Sequence, residues 1–178
     1  MKLLSKLLVS AVFAGQVLLP ALASPALAKS FSLYLTRHAE KQSNSADPLL
    51  TTCGQQRAML LADTLRNVEI QAVYSTSYQR TLATARPTAN AKKISVTQYA
   101  PNGLEQLARV LKQKQLNTLV VGHSNTTPML LSLLTGKSFD KISEDNFRHL
   151  YQVIITTDQS NEITHMVVTD LTQSLKCS

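Results

Sequence analysis

From Phe31 to Thr169 short apolar runs alternate with helical patterns, which restricts the chain to a mostly parallel sheet covered on both faces. Phe31 to Thr36 reads as a first strand, Ala72 to Ser75 as a second, Ile94 to Gln98 as a short edge strand, and Thr118 to Val121 as a fully apolar central one. Thr52 to Leu65 carries Leu60, Leu61 and Leu65 at helical spacing. Ser77 is the expected N-cap of a helix running to about Ala85, where Pro87 disrupts the pattern, and Leu104, Leu107, Ala108 and Leu111 mark a third helix. Ser124 or Asn125 caps a fourth, with Pro128 in its first turn and leucines running to Gly136. Tyr151 to Thr156 and Ile163 to Thr169 end the chain as a hairpin around Asp158 to Asn161. The expected fold class is α/β, a three-layer α/β/α sandwich with a mostly parallel central sheet.

The segment ahead of this pattern is of another kind. Lys2 and Lys6 precede an almost wholly apolar stretch, Leu7 to Leu22, and the small residues Ala26 and Ala28 flank Leu27. Residues 1–28 therefore read as a secretory signal peptide. Gln16 and Pro20 interrupt the stretch, which is short for a spanning helix, so no stable membrane anchor is expected after cleavage. Residues 29–178 remain, enough for one domain. Loss of Lys2 and Lys6 lowers the formal charge of +7 to +5, an excess that favours anionic partners. The lysines and arginines are scattered and accompany no nucleic-acid-binding motif, so nucleic acid is not the expected partner. Cys53 and Cys177 are the two cysteines; an oxidising compartment allows them to staple the tail, the alternative being two unpaired thiols. A phosphatase thiolate loop would need Arg six positions after Cys53, where Met59 stands.

Two strands end at histidines: Leu33-Tyr34-Leu35-Thr36-Arg37-His38 and Leu119-Val120-Val121-Gly122-His123. Ligands of open α/β sheets bind beyond the carboxyl ends of the strands, so two such exits bring distant imidazoles to one crevice. Arg37 stands beside the first histidine, and Arg80 follows the strand that ends at Ser75. A planar, permanently charged guanidinium matches phosphate oxygens, and a neutral imidazole is a competent nucleophile toward phosphorus. Helix N-termini near Ser77 and Ser124 add free amides for an anion. Two arginines and a second histidine meet the needs of phosphoryl transfer without a metal or other cofactor, and no carboxylate and histidine cluster points to one. Arg57 reads as surface or structural, and His149 and His165 as packed or solvent-facing rings of the late strands.

Thr36-Arg37-His38-Ala39-Glu40 resembles the arginine-histidine-glycine signature of the histidine phosphatase superfamily, the phosphoglycerate mutase-like fold, with Ala39 in the glycine position. Leu50-Thr51 to Gly54 with Arg57-Ala58 is similar to the helix after that signature, Tyr74 to Arg80 with Thr81 and Thr84-Ala85 to the segment carrying the next phosphate arginine, and Gly122-His123-Ser124-Asn125-Thr126 to the second histidine motif. The resemblance implies that His38 is the nucleophile and that Arg37, Arg80 and His123 surround the phosphoryl group. It also implies a carboxylic acid for the leaving group. The acidic branch places Asp where Ser124 stands here; Glu105, in a Leu-Glu pair like that of the mutase branch, is favoured, with Glu40 as the other candidate. Glu40 has a second reading, orienting Arg37 or binding a cationic substrate group.

The function expected is an exported, metal-independent phosphomonoesterase using a phosphohistidine intermediate on a small phosphorylated substrate, with an envelope sugar phosphate as the attractive case. One alternative is a phosphohistidine-protein phosphatase. Another, of a different class, is a non-catalytic phosphate or sugar-phosphate binding module. The chain lacks the longer insertions with which the mutase branch encloses a bisphosphate. Oligomeric state is not legible at this level.

Overall fold

The computed structural model describes residues 28–43 and 45–177; apart from Ala28, the leader read over residues 1–28 lies outside the described residues. The elements are β1 (Lys29–Arg37), α1 (Thr52–Thr64), β2 (Ala72–Ser75), α2 (Gln79–Lys92), β3 (Val96–Gln98), α3 (Leu104–Lys114), β4 (Thr118–Gly122), α4 (Thr126–Thr135), β5 (Tyr151–Thr157) and β6 (Ile163–Asp170). They form one sheet in the order β3-β2-β4-β1-β5-β6. The first four strands are parallel and the terminal hairpin is antiparallel, with β5 against β1. No helix of the described residues is long and apolar enough to cross a membrane.

Strand alternation sorts the core into two layers. Leu33, Leu35, Val120, Val153 and Ile155 point to one face and pack with Leu104, Leu107, Leu111, Leu130, Leu131 and Leu134 of α3 and α4. Tyr34, Leu119, Val121 and Val73 point to the other and pack with Leu61 of α1, Leu65 directly after it, and Ala85 and Ala89 of α2. A period of two along each strand and a single stripe along each helix suffice to build this sandwich. The Leu104, Leu107, Ala108 and Leu111 stripe read from the sequence is the buried stripe of α3.

Helix α2 departs from expectation. It is preceded by Tyr78, without a side-chain cap, and runs through Pro87 to Lys92. Pro87 removes one backbone hydrogen bond and crowds the turn before it. Yet Thr81, Thr84, Ala85, Thr88 and Ala89 are all buried at helical spacing, so the turn beyond the proline gains packing that offsets the loss. Helix α4 likewise starts after Asn125 with no side-chain cap, because Ser124 is engaged elsewhere. Its end matches expectation, with Gly136 in the left-handed region at φ 72°.

The tail is tied down. Gln173 N donates to Arg148 O at 2.8 Å, Arg148 Nε donates to Gln173 O at 2.8 Å, and Cys177 is disulfide-bonded to Cys53 at the start of α1. The pairing that the sequence left open is thus the stapled one.

Candidate active site

The carboxyl ends of β1 and β4 lie side by side, with Arg37 in register with Gly122. His38 N donates to Gly122 O at 2.9 Å, so both histidine segments leave the sheet at one point. Gly122 is required there: a Cβ would stand 2.8 Å from Thr126 Oγ1 and 2.9 Å from the Tyr99 hydroxyl. The two imidazoles meet edge to face with centroids 5.6 Å apart. They line a cavity of about 310 Å³ together with Lys41, Tyr78, Arg80, Pro101, Ser124, Asn125, Thr126 and Glu144.

His38 is 3% exposed, and its Nδ1 lies 2.8 Å from Ala39 O. A carbonyl can only accept, so Nδ1 carries the hydrogen and Nε2 keeps its lone pair. Burial, with Arg37, Arg80 and His123 near it, brings the His38 pKa down to about 3, while burial and the same two arginines bring His123 down to about 4. Both rings are therefore neutral at pH 5. His123 Nε2 forms a hydrogen-bonded pair with Thr76 Oγ1 at 3.0 Å, and His123 N donates to Thr126 Oγ1 at 2.9 Å.

Depressed imidazole pKa values bear on stability. Above pH 6.5 both rings are neutral, folded or unfolded. Between pH 6.5 and about 4 for His123, and down to about 3 for His38, the unfolded chain takes up protons that the folded chain refuses, so stability falls as pH falls through that window. The urea midpoint is expected to drop across it, and His38→Gln to flatten the drop; an equal slope in the variant would refute the assignment.

The arginines are positioned by loops. Arg37 is 1% exposed: Nη1 donates to Ser143 O at 2.8 Å and Asn146 O at 3.2 Å, Nη2 donates to Glu144 Oε2 at 3.2 Å, and Cζ lies 4.1 Å from the centre of the Phe147 ring. Arg80 Nη1 donates to Asp47 Oδ1 at 3.4 Å, and its Cζ lies 4.3 Å from the Tyr78 ring centre. The Nε of each arginine is buried with no hydrogen-bond partner among the described residues. A buried unpaired donor is costly, so that of Arg80, which lines the cavity, marks where an anion belongs, while Arg37 lies behind His38 and is not among the lining residues. Asn125 and Thr126, at the start of α4, line that cavity, whereas the first amide of α2, on Gln79, is taken up by Asp47. Both helix starts border the cavity, α2 through Tyr78 and Arg80 and α4 through Asn125 and Thr126, but the Gln79 amide of α2 is already spent on Asp47.

The sequence-based choice of acid is corrected. Glu105 sits in the first turn of α3, exposed, and lines a neighbouring cavity with Arg109, Met129 and Leu133 instead of the one around His38. The loop ahead of α3 carries the carboxylate past Pro101, which borders both cavities. Glu40 faces away as well. Its carboxylate accepts from Arg57 Nε at 2.9 Å and Nη2 at 2.5 Å, which also makes Arg57 a buried structural residue. The cavity-lining carboxylate is Glu144, which the sequence did not single out. Glu105→Gln is therefore expected to leave turnover of alkyl and aryl phosphates within about twofold of wild type in steady-state assays, as for a surface change remote from the chemistry. A selective loss on alkyl esters would restore Glu105 as the acid.

The geometry accords with the comparisons. The histidine phosphatase superfamily (branch 1) matches residues 33–102, the stretch from β1 to the loop before α3. Similar solved structures include a mycobacterial glucosyl-3-phosphoglycerate phosphatase (TM-score 0.65, 11% identity, covering 82% of this chain and 100% of that one). A second is the protein histidine phosphatase SixA complexed with tungstate (TM-score 0.57, 17% identity, 77% and 96%). A third is a putative alpha-ribazole-5'-P phosphatase from Escherichia coli (TM-score 0.61, 17% identity, 82% and 97%). No curated protein matches the chain. The family match is confined to residues 33–102, and over the wider chain the solved structures share its phosphoglycerate mutase-like α/β fold.

Proposed function

We propose that the protein is a metal-independent phosphatase that works through phosphohistidine at His38. The observation that carries this reading is the tautomer of His38, whose Nδ1–H is spent on Ala39 O while Nε2 is left free beside Arg80 and His123 in one cavity. In the first step the Nε2 lone pair attacks phosphorus, the bond to the leaving oxygen breaks, and that oxygen departs with the electron pair. In the second, water attacks phosphorus, the P–N bond breaks and its pair returns to Nε2, releasing phosphate; the proton that water sheds to solvent balances the one the departed oxygen takes up. The Nε group of Arg80 and His123, with the charge of Arg37 behind His38, neutralise the oxygens in both steps. The test is hydrolysis of nitrophenyl phosphate by purified protein, with acid-labile phosphoenzyme trapped during turnover. Chelators are expected to leave the rate unchanged, and loss of activity on chelation would oppose the reading.

One observation favours a phosphohistidine-protein substrate as a second reading. Hydrogen bonds from Ser124 and Lys141 hold the Glu144 pKa down to about 2, so the carboxylate lining the cavity is a poor proton donor. A phosphorylated imidazole leaves without a strong acid, whereas an alkoxide needs one. Comparing rates on a phosphohistidine peptide and on sugar phosphates decides between the two. Export and an envelope substrate rest on the leader sequence alone; an N-terminus at Lys29 in the mature protein is its test.

A further inference from the structure

A cavity for a dianion has no evident need of a carboxylate, yet Glu144 stands on the rim of this one. Its side chain is 64% exposed but fixed from three sides. Oε1 accepts from Ser124 Oγ at 2.8 Å and Lys141 Nζ at 3.0 Å, and Oε2 accepts from Arg37 Nη2 at 3.2 Å. Main-chain bonds fix the loop that carries it, since Ile142 N donates to Ser124 O at 3.0 Å and the carbonyls of Ser143 and Asn146 hold Arg37. Two carboxylate oxygens offer about four lone-pair sites, so acceptor capacity is left over on Oε2.

Resting on the phosphatase reading of the site, we propose that Glu144 determines leaving-group specificity, accepting hydrogen bonds from hydroxyl or ammonium groups next to the phosphoryl group and disfavouring a second anionic group. His38 is buried in the cavity wall, the leaving oxygen must depart opposite its Nε2, and Glu144 lines the same cavity from an exposed loop. With the phosphoryl dianion at Arg80, the leaving group shares the cavity with a fixed negative charge. Lys41 also lines the cavity and is exposed; its cation pulls the other way, so the charge of Glu144 has to be varied to isolate its effect.

Glycerol 3-phosphate and 3-phosphoglycerate share a three-carbon skeleton and differ at one end, hydroxymethyl against carboxylate. Each is measured as a competitive inhibitor of nitrophenyl phosphate turnover and, independently, by calorimetric binding. Glu144→Gln keeps the shape and removes the charge. It is expected to shift the ratio of the two affinities about three- to tenfold toward 3-phosphoglycerate, the size of one charge pair near a protein surface. Glu144→Asp keeps the charge and should hold the ratio within about twofold of wild type. If Glu144→Gln weakens or strengthens both ligands by one common factor, Glu144 only positions Arg37 and the proposal falls. It falls too if Glu144→Asp shifts the ratio as far as Glu144→Gln does. Absence of turnover in the wild type would strike the phosphatase reading instead, because calorimetry still reads the ratio.

Discussion

Replacing His38 by Ala is expected to lower turnover of nitrophenyl phosphate by about ten-thousandfold or more and to remove the acid-labile phosphoenzyme. The size follows from what the side chain supplies. Without the Nε2 lone pair there is no covalent intermediate, and the arginines are left to stabilise direct attack by water on a bound ester. Phosphate binding should survive in the variant, because Arg37 and Arg80 are held by Ser143, Glu144, Asn146 and Asp47, and not by the imidazole. The fold should survive too: the bond from His38 N to Gly122 O is a backbone bond, and the ring's own hydrogen bond reaches only the neighbouring Ala39 O. Rapid-quench labelling, steady-state rates and a phosphate-binding isotherm on the same preparation check all three points. Wild-type rates in the variant, or a phosphoenzyme that persists, would move the nucleophile elsewhere.

The second large effect concerns stability. Cys53 and Cys177 are 124 residues apart in sequence, and closing a loop of that size restricts the unfolded chain strongly. The chain-entropy model assigns such a cross-link nearly 5 kcal/mol, and measured losses on removing a native disulfide run about 2–5 kcal/mol. Cys177→Ser is expected to fall in that range by urea denaturation under oxidising conditions. Tail contacts closer to the core, Leu171 N to Leu150 O at 2.9 Å and Gln173 N to Arg148 O at 2.8 Å, should hold the chain as far as Gln173. Arg57 Nη2 would lose Leu175 O, at 3.1 Å, as the last residues peel away. No tail residue lines the cavity around His38, so turnover below the unfolding transition should stay within about twofold of wild type. A change below about 1 kcal/mol would mean that the staple constrains nothing the fold does not already hold.

The sheet and helices were legible because burial leaves a periodic trace: two along Leu33 to Leu35 and Leu119 to Val121, about 3.6 along Leu104 to Leu111. Arg37, His38, Arg80 and His123 were legible because each stands at or after the end of a strand whose exit could be read. What stayed hidden arrives on segments without a period. Asp47, Glu144, Asn146 and Phe147 sit in loops, and they reach the arginines across separations such as the 107 residues between Arg37 and Glu144. Nothing local in Ser143-Glu144-Asp145 distinguishes it from a solvated turn. The misplacement of Glu105 has the same origin: a first-turn position on α3 was readable, but the cavity that its carboxylate faces depends on how α3 packs against α4. Pro87 failed as a helix terminator because a local rule met a buried stripe that continued past it.

The position of β1 also sets a schedule for the growing chain. It is the first strand of the described residues to be made and sits in the interior of the sheet, bonded on both sides to segments that come much later. Ser32 N donates to Asn117 Oδ1, 85 residues on, and Ser32 Oγ accepts from Gln152 Nε2, 120 residues on. Until β5 has been made, Leu33, Tyr34 and Leu35 belong to a strand with an open side, and such long-range pairing makes folding slow. Synthesis therefore releases a chain whose centre closes last, and a fragment that stops before Thr157 leaves β1 only partly flanked.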